Sequence, residues 1–304
     1  MNKTILITGG SGLIGGAITS QLLQAGYTVH LLSRSDEPHG NPRIKRFKWN
    51  LDTSQIDGRC IEKVEAVIHL AGEGIADKRW TKSRKKAIIE SRTKSISMIY
   101  DLLAKTTDHQ VKSIISASAV GYYGSRGNEL LNEGSAPTSD FLSQACILWE
   151  KAVSEGVNLG LRIAKLRIGI ILSEKGGALK EIAKPIKQGI GSPLGSGDQW
   201  VSWIHIKDAA RIFIHMLENQ NLNGVFNVVA PNPVTNKQLT EEVASKLKKK
   251  LWAPNVPAFV LKVILGEMSE VVLTSTKVSS EKIQSTGFVF EYPILKQALA
   301  NIYS

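Results

Sequence analysis

The sequence predicts an α/β fold: a doubly wound parallel sheet followed by a smaller C-terminal α/β lobe. Three observations predict it. Short apolar runs suited to buried strands alternate with amphipathic helical runs through the first half of the 304-residue chain, the pattern of a parallel sheet covered on both faces. The first strand and first helix are joined by the glycine-rich turn Thr8-Gly9-Gly10-Ser11-Gly12-Leu13-Ile14-Gly15. From Gly176 onward the alternation gives way to a helix, a Gly- and Pro-rich loop and shorter elements.

Lys3 to Thr8 reads as a buried strand, and Ala17 to Ala25 as an amphipathic helix stopped by Gly26. Strand, glycine turn and helix in that order form the phosphate-binding unit of a Rossmann-type sheet. Gly9 and Gly12 let the backbone turn sharply and approach a pyrophosphate. Gly15 allows close packing of helix on strand, while Ser11, Leu13 and Ile14 place free helix N-terminal N–H groups toward the anion. The spacing is G-x-x-G-x-x-G.

Thr28 to Leu32 is the second strand and ends at Ser33-Arg34. An acid about 20 residues past the glycines would bind the ribose hydroxyls of NAD. Ser33 stands there instead, and the guanidinium of Arg34 suits a 2′-phosphate, so NADP (NADPH) is the expected cofactor. Residues 43–49 alternate as a third strand, after which Asp52 either approaches the adenine edge or caps a helix. A fourth strand, Ala66 to Leu70, runs into Ala71 and Gly72. Small residues there let a ligand lie over the strand end, so Leu70, Ala71 and Gly72 join the expected cofactor set. His69 reads as a packed strand histidine.

Residues 81–105 carry helical periodicity with Thr81 as N-cap. Ser113 to Ser118 is the fifth strand, opening onto Ala119 to Gly124, and residues 139–155 look helical. Strand material follows over 161–172, then a helix near 178–188, a helix from Asp208, a strand over 224–229 and a helix over 236–250. The expected division is residues 1–175 as the dinucleotide-binding domain, with sheet elements returning near 200–230. Residues 176–304 then form the smaller substrate-side lobe, and the last fifty or so residues hold short helices.

No charge-free apolar run approaches the roughly 18 residues that span a bilayer, and the first strand begins at once, so neither a membrane span nor a signal peptide is expected. Cys60 and Cys146 lie far apart and fit a reduced compartment, which makes cytoplasmic the expected location. The formal charge of +11 concentrates at Lys78–Lys94 and Lys246–Lys250, both placed on helices. These read as solvated faces, because no interleaved aromatic set accompanies them to stack nucleic-acid bases. No metal-ligand spacing is present.

Taken together, the glycine turn, His69-Leu70-Ala71-Gly72, Ser116-Ala117-Ser118 with Tyr123-Gly124, and Ile204-His205-Ile206-Lys207-Asp208 resemble the extended short-chain dehydrogenase/reductase superfamily. More narrowly, residues 116–124, 195–205 and 230–236 resemble an atypical branch labelled nucleoside-diphosphate-sugar epimerases, which ends in a small domain of unknown function. The resemblance implies an NADP-dependent oxidoreductase or epimerase acting by hydride exchange on a small-molecule substrate, with a homodimer through the long helices near 81–105 and 139–155.

The departure from that family lies in its Tyr-x-x-x-Lys pair, whose tyrosine is the acid/base and whose lysine lowers the tyrosine pKa and holds the nicotinamide ribose. Aligning Glu150 with the acid that commonly follows the lysine puts Leu142 at the tyrosine and Cys146 at the lysine. Ser118 matches the family serine and is expected to orient a substrate oxygen, with Tyr123 or a water carrying the proton. Tyr122, Cys146, Trp200, Trp203 and His205 are expected to line the substrate pocket, core packing being the competing reading for the tryptophans and the cysteine. The alternative to an enzyme is a catalytically degenerate NADP-binding regulatory or scaffold protein.

Overall fold

The computed structural model describes residues 3–304. Its first half runs β1 (Thr4–Thr8), α1 (Leu13–Gln24), β2 (Thr28–Ser33), β3 (Ile44–Asn50), β4 (Gln55–Ile56), β5 (Val64–His69), α2 (Lys82–Lys105), β6 (Ser113–Ala119), β7 (Leu130–Leu131) and α3 (Phe141–Ser154). The second half begins with β8 (Arg162–Ile168), β9 (Ile170–Leu172), α4 (Ala178–Lys187), β10 (Trp200–Val201), β11 (Trp203–His205), α5 (Ile206–Glu218) and β12 (Gly224–Val228). It ends with β13 (Val234–Thr235), α6 (Asn236–Lys246), α7 (Ala258–Leu265), α8 (Glu270–Leu273), β14 (Lys277–Val278), α9 (Glu281–Ser285) and α10 (Leu295–Ile302).

Eight strands form one sheet in the order β12-β8-β6-β5-β1-β2-β3-β4. Every pairing in it is parallel except β3 with β4 at the edge. All five residues of β1 are buried, as a strand covered by helices on both faces requires. The chain winds outward from β1 through β2 and β3, then returns to place β5 on the other side of β1. The order therefore reverses between β1 and β5, and a crevice opens at the C-terminal ends of those two strands.

A second core forms where Leu172, Leu179, Ile186, Trp203, Leu239, Val243 and Leu299 pack among α4, α6 and α10. The strand expected over 161–172 breaks at Gly169, where a Cβ would lie 2.4 Å from Ser202 O. That close crossing sends β9 out of the main sheet to pair with β11. The helix expected over 236–250 stops at Lys246, and Lys248 adopts φ 55°, so Lys248, Lys249 and Lys250 are not on a helix. Among the described residues, no helix is long and apolar enough to cross a membrane.

Candidate functional site

At the reversal point the loop after β1 and the turn after β5 interlock. Thr8 Oγ1 accepts hydrogen bonds from the backbone N–H groups of Leu70 and Ala71, both at 3.0 Å. Gly9 has φ +68°, and a Cβ there would lie 2.9 Å from Leu70 O. At Gly15 a Cβ would meet Gly9 O at 2.3 Å. Both positions are sealed against side chains by backbone, leaving a cradle whose floor is main chain. Helix α1 starts at Gly12 with no side-chain cap and no acid in its first turn. By contrast, Thr81 caps α2 and Asp140 caps α3. The first-turn N–H groups of α1 thus have no side-chain acceptor and suit a pyrophosphate. Leu13 lies beside Gly177, 3.4 Å from where a Cβ there would be. Ile14 packs against the main core.

Ser33 closes β2 with its hydroxyl turned to Ser35 O. Arg34 follows as an exposed side chain within electrostatic reach of Glu73, whose carboxyl is held low first by its hydrogen bond from Arg84. Asp52 sits exposed in the turn after β3, its N–H donating to Asn50 Oδ1 at 2.9 Å. It caps no helix.

Where the catalytic pair would stand, Leu142 and Cys146 lie on α3 against Gly121: a Cβ on Gly121 would be 3.4 Å from Leu142 Cβ and 3.9 Å from Cys146 Sγ. Burial pushes the Cys146 thiol up to about 12, so it is a packed thiol with no thiolate to offer near neutral pH. Ser118 donates to Glu150 Oε1 at 2.7 Å. Glu150 is clasped by Arg167, whose Nε reaches Oε1 at 2.7 Å and Nη2 reaches Oε2 at 2.9 Å, with both residues buried. Burial opposes the charge on Arg167, but hydrogen bonding and charge from Glu150 together outweigh it and raise its pKa.

That ion pair extends to Tyr123, and here the expected proton carrier is corrected. Tyr123 is wholly buried; its hydroxyl donates to Asn227 Oδ1 at 2.6 Å and accepts from Arg167 Nη1 at 3.1 Å. Burial pushes its pKa up to about 12. Asn227 is held in turn by Glu133 Oε1 and Ser279 O. Tyr123 therefore fastens the turn after β6 to β12 and faces away from solvent. Tyr122 is half-buried, with the Arg167 guanidinium 3.4 Å from its ring centroid.

The expected pocket mouth also changes. Trp203 lies in the second core with Nε1 donating to Asn232 O, and His205 is buried as the N-cap of α5, stacked 4.0 Å from Tyr292. Burial pulls His205 down to about 4. Only Trp200 of the three is half-exposed, and its Nε1 donates to Asn128 Oδ1. Instead α7 and the turn after it reach the segment around Arg79 and the start of α2. Arg79 donates to Ile264 O at 2.5 Å, Lys85 pairs with Glu267, and Trp80 stands edge-on to Phe141. His69 is packed as expected, bonded to Ser116 and Ser95.

One residue was misplaced among the solvated basic face. Arg92 is buried at 8 % exposure and lies against Gly72. Its spacing from Ile88, Ile96 and Ile99 is the signal, since these positions share the inward face of α2.

Residues 5–229 match the NAD dependent epimerase/dehydratase family, and residues 256–302 match a domain of unknown function, DUF1731. An epimerase family protein of Staphylococcus aureus (strain MRSA252), SAR0825, is 35% identical over 305 residues, covering 99% of each chain. The crystal structure of human epimerase family protein SDR39U1 with NADPH has a TM-score of 0.86 at 30% identity, again over 99% of both chains. A nucleoside-diphosphate sugar epimerase from Corynebacterium glutamicum gives a TM-score of 0.80 at 32% identity, covering all of this chain and 58% of that one.

Proposed function

The chain belongs to the NAD dependent epimerase/dehydratase family, and from that premise we propose that it binds NADPH and exchanges hydride with a carbonyl or carbinol carbon of a sugar-nucleotide-like substrate. The observation that carries the cofactor choice is Ser33-Arg34 at the end of β2, where an exposed guanidinium replaces the acid that would bind a free ribose hydroxyl. The NADPH of the human relative supports the same choice.

The residues present fit such a cofactor. Gly9, Gly12 and Gly15 leave backbone room for the pyrophosphate, α1 offers its free N–H groups, and Leu70 to Gly72 floor the path beyond. When bound, NADPH supplies the hydride. Ser118 gives its proton to Glu150, so its oxygen is left to accept a hydrogen bond. It is therefore suited to accept from a carbinol hydroxyl, the substrate of the reverse direction in which the oxidised cofactor takes the hydride, rather than to donate to a carbonyl. With Tyr123 locked into the Asn227–Arg167 network, a water carries the proton.

Titration of the purified protein with NADPH and NADH tests the reading. NADPH is expected to bind about tenfold tighter or more, the scale of one charge-assisted contact to phosphate, and Arg34→Ala is expected to bring the two dissociation constants together. Equal affinities in the unmodified protein would overturn the assignment. A second reading, an NADPH-binding regulatory protein without turnover, is favoured by Leu142 and Cys146 at the positions of the catalytic pair. It predicts tight NADPH binding with no oxidation of NADPH across a panel of carbonyl compounds and nucleotide sugars.

A further inference from the structure

We propose that Arg92, reaching across from α2, supplies the cation of the nicotinamide half-site in place of a lysine at position 146, its guanidinium donating to the nicotinamide ribose hydroxyls. The inference rests on the reading that the crevice holds a nicotinamide dinucleotide.

Arg92 is a buried cation without a counter-ion. Its Nη1 donates to Ile88 O at 2.8 Å and Ser91 Oγ at 3.4 Å, and its Nη2 donates to Glu73 O at 3.0 Å. Among the described residues it pairs with no carboxylate, whereas the other arginine on this rim, Arg84, pairs with Glu73, and buried Arg167 pairs with Glu150. A guanidinium taken out of water and met only by carbonyls, a hydroxyl and the face of the Trp149 ring is costly unless something further uses its charge.

Its position indicates what that user is. A Cβ on Gly72 would lie 2.9 Å from Arg92 Cζ and 3.2 Å from Nε. The guanidinium thus lies directly against the turn that closes the crevice between β1 and β5. On its other side it lies 5.0 Å from the Trp149 ring centroid. Trp149 and Cys146 stand three residues apart on one face of α3, and Arg92 lies close enough to Cys146 for its charge to act on the thiol. The charge lost from α3 at position 146 is thereby met by one arriving from α2. A planar guanidinium presents parallel N–H groups that match a vicinal diol, where an ammonium acts as a point charge.

The test measures dissociation constants for NADPH and for 2′,5′-ADP, which has the adenosine half but no nicotinamide ribose. Arg92→Met is expected to weaken NADPH by about tenfold or more, as for one lost charge-assisted hydrogen bond, while 2′,5′-ADP stays within about twofold. Arg92→Gln, which keeps N–H groups for the carbonyls that Arg92 now meets, is expected to show the same selective loss and covers the case in which the methionine variant folds poorly. Adding Cys146→Lys to either variant is expected to restore NADPH binding. Equal losses for both ligands, no loss for NADPH, or no rescue by Cys146→Lys would overturn the proposal. Unmodified protein that binds neither ligand would overturn the NADPH reading and this inference with it; selective failure in the variants alone overturns only this one.

Discussion

Single side chains set the chemistry available at the crevice, and the most informative are the buried polar ones. Tyr123 joins Arg167 to Asn227, so Tyr123→Phe leaves two buried polar groups short of a partner. A loss of about 1–3 kcal/mol is expected in urea unfolding, with NADPH affinity unchanged. Unaltered stability combined with lost turnover would return Tyr123 to the chemistry. His69 gives a pH signature. Burial pulls it from 6.5 down to about 3, so between those values the unfolded chain binds a proton that the folded chain refuses. Stability therefore falls as pH drops below about 6.5, by up to about 1.4 kcal/mol per pH unit, and His205 adds in the same direction. Urea midpoints from pH 7 to 5 are expected to trace this slope, and His69→Asn to flatten it; an unchanged slope would refute the assignment. At this scale the sequence was legible for Arg34, whose place at the end of β2 is a local matter. It was legible in part for Arg92, through its spacing from Ile88, Ile96 and Ile99, and not for Tyr123, since a tyrosine near a strand end looks the same whether it faces water or the interior.

Individual elements were read more faithfully, because their signals are local. The α2 span with its Thr81 cap and the β6 strand stand where periodicity and capping placed them, whereas α1 begins at Leu13, inside the glycine turn and four residues before the expected Ala17. The exceptions, Gly169 and Lys248, are places where a neighbouring segment or a left-handed residue ends an element that periodicity would continue. The glycine turn yields the sharpest prediction. Gly15→Ala forces a Cβ to 2.3 Å from Gly9 O, against backbone that has nowhere to go, and is expected to cost about 1–3 kcal/mol and to abolish saturable NADPH binding. Gly16→Ala, whose Cβ would meet nothing within 4 Å, is expected to stabilise the exposed start of α1 by about 0.5–1 kcal/mol. Equal behaviour of the two variants in thermal unfolding and NADPH titration would remove the close-approach argument.

At the scale of the whole molecule, one buried carboxylate ties distant segments together. Asp208 on α5 accepts the backbone N–H groups of Glu291 and Tyr292 at 3.0 and 2.8 Å and pairs with Arg211. It thereby ties the segment leading to α10 onto the sheet's helical layer. Asp208→Ala is expected to cost about 1.5–3 kcal/mol and to speed limited proteolysis after residue 285; an unchanged cleavage pattern would place the tie elsewhere. The sequence by itself determined the parallel α/β class of the sheet and the glycine turn after its first strand, since each is written in neighbouring residues. Only the tertiary structure decided that Tyr123, Trp203 and His205 are interior and that Arg92 stands beside Gly72 and α3. Those facts depend on which helix faces which strand, and residues from α2, α3, β8 and β12 meet there across long stretches of chain that no local pattern connects.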